Sequence, residues 1–232
     1  MPITMYDLAG AEADRRFSPF CWRARMALAH KGLDVETVPW RFTEKDKLPA
    51  PNDGRVPVIV DGDRVVHDST AIADYLEEHY PDRPPLFGGR PGARALTRFV
   101  QNWTETVVQT GLIRLVLLDI WNHIAPQDRE YFRTSREARL GMTMEAFVKD
   151  REALLPAFRT SLDPLRRTVE RQNFLAGDAP AYADYIVFGA FQWARGISDF
   201  ALLAADDPVY AWRGHMLDLF DGLGRRAPGY GG

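Results

Sequence analysis

Residues 55–69 read Arg-Val-Pro-Val-Ile-Val-Asp-Gly-Asp-Arg-Val-Val-His-Asp-Ser, a run that few backbone conformations suit. Val58, Ile59 and Val60, then Val65 and Val66, are β-branched residues that favour extended chain, and Asp61-Gly62 between them is the strongest short-range hairpin signal. Two adjacent strands are therefore predicted. Pro57 has no N–H to give to a sheet ladder, so it belongs at a strand start or edge, and the bond after Val56 is a candidate for the cis form. The Val56 backbone is then left to pair with something other than protein. The second strand runs into Asp68-Ser69, two good helix caps, ahead of Ala71, Ile72, Tyr75, Leu76 and His79 at helical spacing. An unpaired strand edge beside a helix start suits a small extended peptide that carries a carboxylate.

The flanking sequence completes a domain around this hairpin. Ile3-Thr4-Met5-Tyr6 reads as a strand ended by Asp7, and Ser18-Pro19 combines an N-cap with proline at the first helical position, opening a helix over 19–31 that Gly32 closes. A second strand is expected over 35–39, followed by an irregular wall over 40–55 with at most one helical turn. The order β-α-β, irregular segment, β-β-α is that of a thioredoxin-like domain, placed at 1–80. Pro81, Pro84, Pro85, Gly88, Gly89, Pro91 and Gly92 mark a linker at 81–92.

From residue 93 to 232 the pattern changes to helical. Leu96, Phe99, Val100, Trp103 and Val107 recur at three and four, which predicts a long helix bent near Gly111. Further helices are expected over 127–139, over 144–155 with its end at Pro156, over 165–174 after Pro164, over 182–197 as the buried centre, and over 208–223. The expected fold is an α/β domain followed by an all-α domain.

Composition excludes several classes. A net charge of −3 draws the chain neither to nucleic acid nor to an anionic membrane, and the Arg166, Arg167 and Arg171 face reads as solvated. The apolar run 112–121 is interrupted by Arg114 and Asp119 and falls short of the roughly 20 residues of a membrane span. No basic flank or apolar core of a signal peptide is seen. Cys21 is the one cysteine, so no internal disulfide or multi-cysteine zinc site is available, and a reducing cytoplasmic compartment is expected. The five histidines show no pair at metal spacing, so no metal is expected.

Val56-Pro57-Val58-Ile59-Val60 followed by Asp68-Ser69 resembles the glutathione-binding half of the cytosolic glutathione transferases. The two-domain pattern carries the resemblance over nearly the whole chain. It extends to Gly177 through Asp184, which is similar to the family's capping segment except that Ala181 stands where Ser or Thr is usual, so that cap must rest on Asp184. Ser18-Pro19 with Trp22-Arg23, Ala29-His30-Lys31-Gly32, Pro126-Gln127-Asp128-Arg129, and Asp206-Asp207-Pro208 with the stretch 218–225 resemble bacterial glutathione-dependent β-aryl etherases and relatives of fungal type.

The resemblance implies glutathione as co-substrate, bound by Arg55, Val56, Pro57, Asp68 and Ser69, with Ser18 as the catalytic residue. A glutathione thiol, with a pKa near about 8.5, is mostly protonated at neutral pH, and Ser18 with the positive end of its helix would favour the thiolate. A plain N-cap role also accounts for Ser18-Pro19, and a residue can do both. The electrophile pocket is assigned to Phe17, Phe20, Trp40 and Trp121, within a wider aromatic set that adds Phe42, Trp103 and Tyr131, of which most are expected to be core. The implied activity is transfer to an apolar aromatic substrate, of the detoxification type or as β-aryl ether cleavage, by a homodimer. A carrier or regulatory protein of the same fold, a glutathione-dependent isomerase, and a thiol reductase acting through Cys21 remain as alternatives, with Cys21 read first as a small buried hydrophobe.

Overall fold

The computed structural model describes residues 2–89 and 92–231, so Pro91 of the expected linker lies outside the described residues. Strands β1 (Ile3–Leu8), β2 (Val35–Trp40), β3 (Val58–Asp61) and β4 (Arg64–His67) form one sheet in the order β2-β1-β3-β4. β1 runs parallel to β2 and antiparallel to β3, with Tyr6 opposite both Val38 and Val58. A parallel pair needs a crossover, and α1 (Pro19–His30) supplies it. β3 and β4 close with Asp61 opposite Arg64, so the turn is Gly62-Asp63, one residue later than the sequence suggested. Gly62 takes φ of +58°, which a residue with a Cβ disfavours. β1 also runs through Asp7 instead of ending there, because the buried Asp7 carboxylate lies 3.5 Å from Arg25 and 3.7 Å from Arg16. The helix after the sheet, α2 (Ser69–His79), packs beside α1.

The remainder is helical. α3 (Ala93–Trp103) and α4 (Thr110–His123) form one rod joined by a wide π-helical turn, Thr104–Gln109, which precedes the expected bend at Gly111. Gly111 itself makes room for Phe158, whose ring would lie 2.7 Å from an added Cβ. Next come α5 (Arg129–Leu140), α6 (Met144–Val148), α7 (Arg151–Ser161) and α8 (Asp163–Val169). Two sequence expectations fail in this stretch. The helix expected over 144–155 breaks at Lys149-Asp150, and Pro156 lies inside α7, where only one helical N–H is lost. The segment 165–174 stops at Val169, because Phe174 and Gly177 exchange backbone hydrogen bonds of 3.0 Å in a tight loop.

α9 (Tyr182–Ile197) is buried along nearly its whole length and runs against α1, α3 and α4. Ala181 offers no side-chain acceptor, and Asp184 caps the helix as expected: its carboxylate accepts the amides of Ala181 at 3.1 Å and Leu175 at 2.7 Å. Trp212 of α10 (Pro208–Arg226) adds a longer bond of 3.4 Å. α10 is broken at Phe220, Asp221 and Gly222, all with positive φ, near the glycines where the sequence places its end. Among the described residues no helix is long and apolar enough to cross a membrane.

Candidate active site

Ser18 caps α1. Its backbone is extended, its Oγ accepts the Cys21 amide at 3.2 Å, and its carbonyl accepts the Trp22 amide at 3.0 Å. Pro19 has no N–H, so the Phe20 amide is the free first-turn donor next to the Ser18 hydroxyl. This turn is seated by two glycines of α9. A Cβ at Gly189 would collide with the Pro19 carbonyl oxygen, and one at Gly196 would approach the Phe17 Cβ to 3.2 Å. The Trp22 indole, donating to the Arg16 carbonyl at 2.9 Å, ties down the loop before it. Ser18 is 4% exposed and lines a cleft of ≈ 960 Å³.

Phe17, Phe20, Trp40, Arg55 and Val56 line that cleft with Ser18, as the sequence reading proposed. Trp121 does not: it lies on α4 beneath the guanidinium groups of Arg129 and Arg133, 5.6 and 4.6 Å from its ring centre. Tyr131 and Phe132 of α5 take the place assigned to it, and Phe42 joins them. Centroid separations of 6.4 Å for Phe17–Phe42 and 5.5 Å for Phe42–Phe132 make a continuous aromatic wall leading away from Ser18. Glu105 and Gln109 on the π-helical turn, and Arg136 and Arg139 on α5, also line the cleft and were missed. The spacing of Phe132, Arg136 and Arg139 on one helical face was the available signal.

Val56 precedes the sheet ladder, which starts at Val58, and the Val56–Pro57 bond is cis. Pro57 is buried behind it. Asp68 and Ser69 stand outside the cleft lining at the start of α2. Asp68 holds φ of +71° and accepts the Thr70 and Ala71 amides at 2.8 and 3.0 Å, while the Ser69 carbonyl accepts the Tyr182 hydroxyl at 2.6 Å. The Ser69 hydroxyl is buried without a hydrogen-bond partner among the described residues. Leaving such a group unpaired costs about 1–3 kcal/mol.

Side-chain bonds couple the two halves around the site. Arg23 of α1 donates to Glu105 at 2.8 Å, Gln101 donates to Glu105 at 3.1 Å, and Thr70 donates to Gln101 at 3.1 Å. The buried Asp128 carboxylate, before α5, accepts from the Phe42 and Thr43 amides and from the Thr43 hydroxyl at 3.3, 3.0 and 2.7 Å. Cys21 is buried beside Ser18 and Asp7: burial, and then the Asp7 carboxylate, push its thiol well above the ordinary range against a side-chain hydrogen bond with Ser18, and so favour the protonated form. No cluster of potential metal ligands occurs among the described residues.

Comparison with known proteins follows this geometry. Residues 13–84 match the family model for the glutathione S-transferase N-terminal domain and residues 95–201 that for the C-terminal domain. Glutathione S-transferase Z1 of Arabidopsis thaliana is 46% identical over 69 residues, 28% of this chain and 31% of that protein, so the match spans under a third of the curated relative. The solved structure of glutathione transferase GSTFuA3 from Phanerochaete chrysosporium is 27% identical, covers 96% of this chain and 92% of its own, and superposes with a TM-score of 0.75. A glutathione S-transferase of Ceriporiopsis subvermispora, solved in complex with glutathione, shares the fold at 24% identity and a TM-score of 0.75, over 95% of this chain and 97% of its own. With both halves matched in order around a serine-capped helix and a proline-led strand, the chain belongs to the cytosolic glutathione S-transferase superfamily.

Proposed function

We propose that the chain is a glutathione transferase in which Ser18 promotes attack of the glutathione thiolate on an aromatic electrophile. Glutathione pairs with the Val56 backbone in extended form, its γ-glutamyl end reaches Asp68 and Ser69, and Arg55 meets its glycyl carboxylate, with Lys45 nearby in the same cleft. The observation that carries this reading is a set of donors at the start of two helices: the Ser18 hydroxyl, whose neighbour in this structure is the Cys21 thiol, and the Phe20 amide beside the cleft, with the Ser69 hydroxyl, unpartnered among the described residues, at the start of α2. Ser18 donates its hydrogen to the sulfur and lowers the thiol pKa, and the thiol proton leaves to water. The aromatic wall of Phe17, Phe42 and Phe132 supports an aromatic partner. Cleavage of a β-aryl ether is the specific case the wall favours. The S–C bond forms as the C–O bond breaks, and the phenolate leaves with the electron pair. A buried, poorly ionised Cys21 favours this route over mixed-disulfide reduction. Leu96 and Phe99, each 72% exposed one turn apart on α3, support assembly as a homodimer.

Titration calorimetry of the protein with glutathione tests the binding step. Saturable binding is expected, and Ser69→Ala is expected to weaken it by about tenfold, the worth of one charge-assisted hydrogen bond. An absence of binding by the wild type would remove the proposal.

A further inference from the structure

The charges of the cleft are not balanced. Lys45, Arg55, Arg136 and Arg139 line it against Asp53 and Glu105, and Glu105 is already committed to Arg23 at 2.8 Å. In the transferase reading Arg55 and Lys45 serve glutathione, which leaves two arginines on α5 without an assignment. Arg136 lies at the far end of the aromatic wall from Ser18, its guanidinium 4.3 Å from the Phe132 ring centre and 5.1 Å from that of Phe42. Its one hydrogen bond among the described residues is donation to the Ser135 hydroxyl at 2.8 Å. The neighbouring acid, Glu137, is held by Arg133 at 2.9 Å, as is Glu145 at 2.8 Å, so the carboxylates near this stretch are engaged elsewhere. Burial, and then the charge of Arg139, bring the Arg136 guanidinium down to about 10, still protonated at neutral pH.

A half-buried guanidinium set over two rings, with one N–H given to Ser135, still has donors left in a fixed fork, and these match a carboxylate. An aromatic ring lying along the Phe17–Phe42–Phe132 wall would carry a ring substituent toward it. Resting on the transferase reading, we propose that Arg136, assisted by Arg139, recognises an anionic group on the second substrate, so that the electrophile of this protein is an aromatic acid and not a wholly apolar aromatic compound.

The test pairs two electrophiles of nearly the same shape, one anionic and one neutral, 4-chloro-3-nitrobenzoate and 4-chloro-3-nitrobenzamide, each with glutathione. Every kcat/KM is divided by the rate constant of the uncatalysed reaction, because the amide activates the ring more than the carboxylate does. In both, the glutathione sulfur bonds to the ring carbon, chloride leaves with the electron pair, and the thiol proton passes to water with no redox change. The wild type is expected to favour the benzoate in kcat/KM by about tenfold or more, and Arg136→Gln to erase that preference, with most of the loss in KM. Arg136→Lys is expected to retain part of it, which a merely structural arginine would not predict, and near-ultraviolet circular dichroism checks that each variant is folded. Should Arg136→Gln fail to fold, Arg136→Lys and Arg139→Gln carry the comparison. No benzoate preference in the wild type, or an equal loss on both electrophiles in the variants, overturns the proposal. Should neither electrophile turn over, the transferase reading fails for this chemistry and calorimetry of the two probes decides the subsite: selective benzoate binding lost in Arg136→Gln supports it, and equal binding overturns it.

Discussion

The Ser18 oxygen already accepts the Cys21 amide, so a bond from Ser18 to a sulfur uses its hydrogen and leaves the cap intact. Substitution separates the two tasks. Ser18→Ala removes both, and is expected to lower stability by about 1 kcal/mol in urea unfolding while turnover falls by about 10²-fold. Ser18→Asp keeps a capping acceptor but sets a negative charge against the thiolate, so stability should hold while turnover falls further and the thiolate absorbance of bound glutathione moves to higher pH. Retention of full turnover by Ser18→Ala would reduce the residue to a cap. The caps at Ser18 and Asp68 and the cis Val56–Pro57 bond were legible because caps and prolines act over one turn of chain, and that information is local. Trp121 was misplaced and Arg136 missed for the opposite reason. An aromatic residue on a helix announces bulk but not direction, and a run of arginines gives no sign of which one has found a carboxylate.

At the scale of elements, the cap of α9 rests on one titratable group. Burial pushes Asp184 up to about 6 despite the Leu175, Ala181 and Trp212 donors. A folded pKa above the unfolded value of about 3.9 means that the native state holds the proton more tightly, so this contribution to stability is complete below about pH 4 and is lost as pH rises through 6. The unfolding free energy of the wild type, from urea titration, should therefore exceed that of Asp184→Asn most at pH 4, with the gap narrowing toward pH 7 by up to about 2–3 kcal/mol. A gap that widens with pH would mean that the amide donors outweigh burial. Strand and helix order was readable because β-branched runs and three-four spacing are strong periodic signals. The wide turn at Thr104–Gln109 was not, since inserting one extra residue per turn leaves the apolar spacing nearly unchanged. Pro156 inside α7 failed as a stop signal because the chain breaks earlier, at Asp150, and the proline forfeits a single bond.

For the whole molecule, the exposed Leu96 and Phe99 give the homodimer proposal a direct check. Sedimentation should find a dimer in the wild type and a monomer in a Leu96→Glu, Phe99→Glu double variant, since two buried charges without partners oppose association. A wild type that sediments as a monomer would place the interface, or the need for one, elsewhere. The division into an α/β half and a helical half was legible from the change in periodicity, whereas the bonds of Asp128 and Glu105 across the halves join residues about 80 or more apart and could not be read from spacing. The glycines of α9 have a wider consequence. Gly189 presses bare backbone against the Pro19 carbonyl with no room for a methyl group, and Gly196 leaves little beside Phe17, while Arg136 and Arg139 of α5 line the cleft farther from Ser18. On the proposed reading, reactivity is held by main chain and selectivity by side chains, so a redesign for new partners would have its latitude in α5 and little in α9.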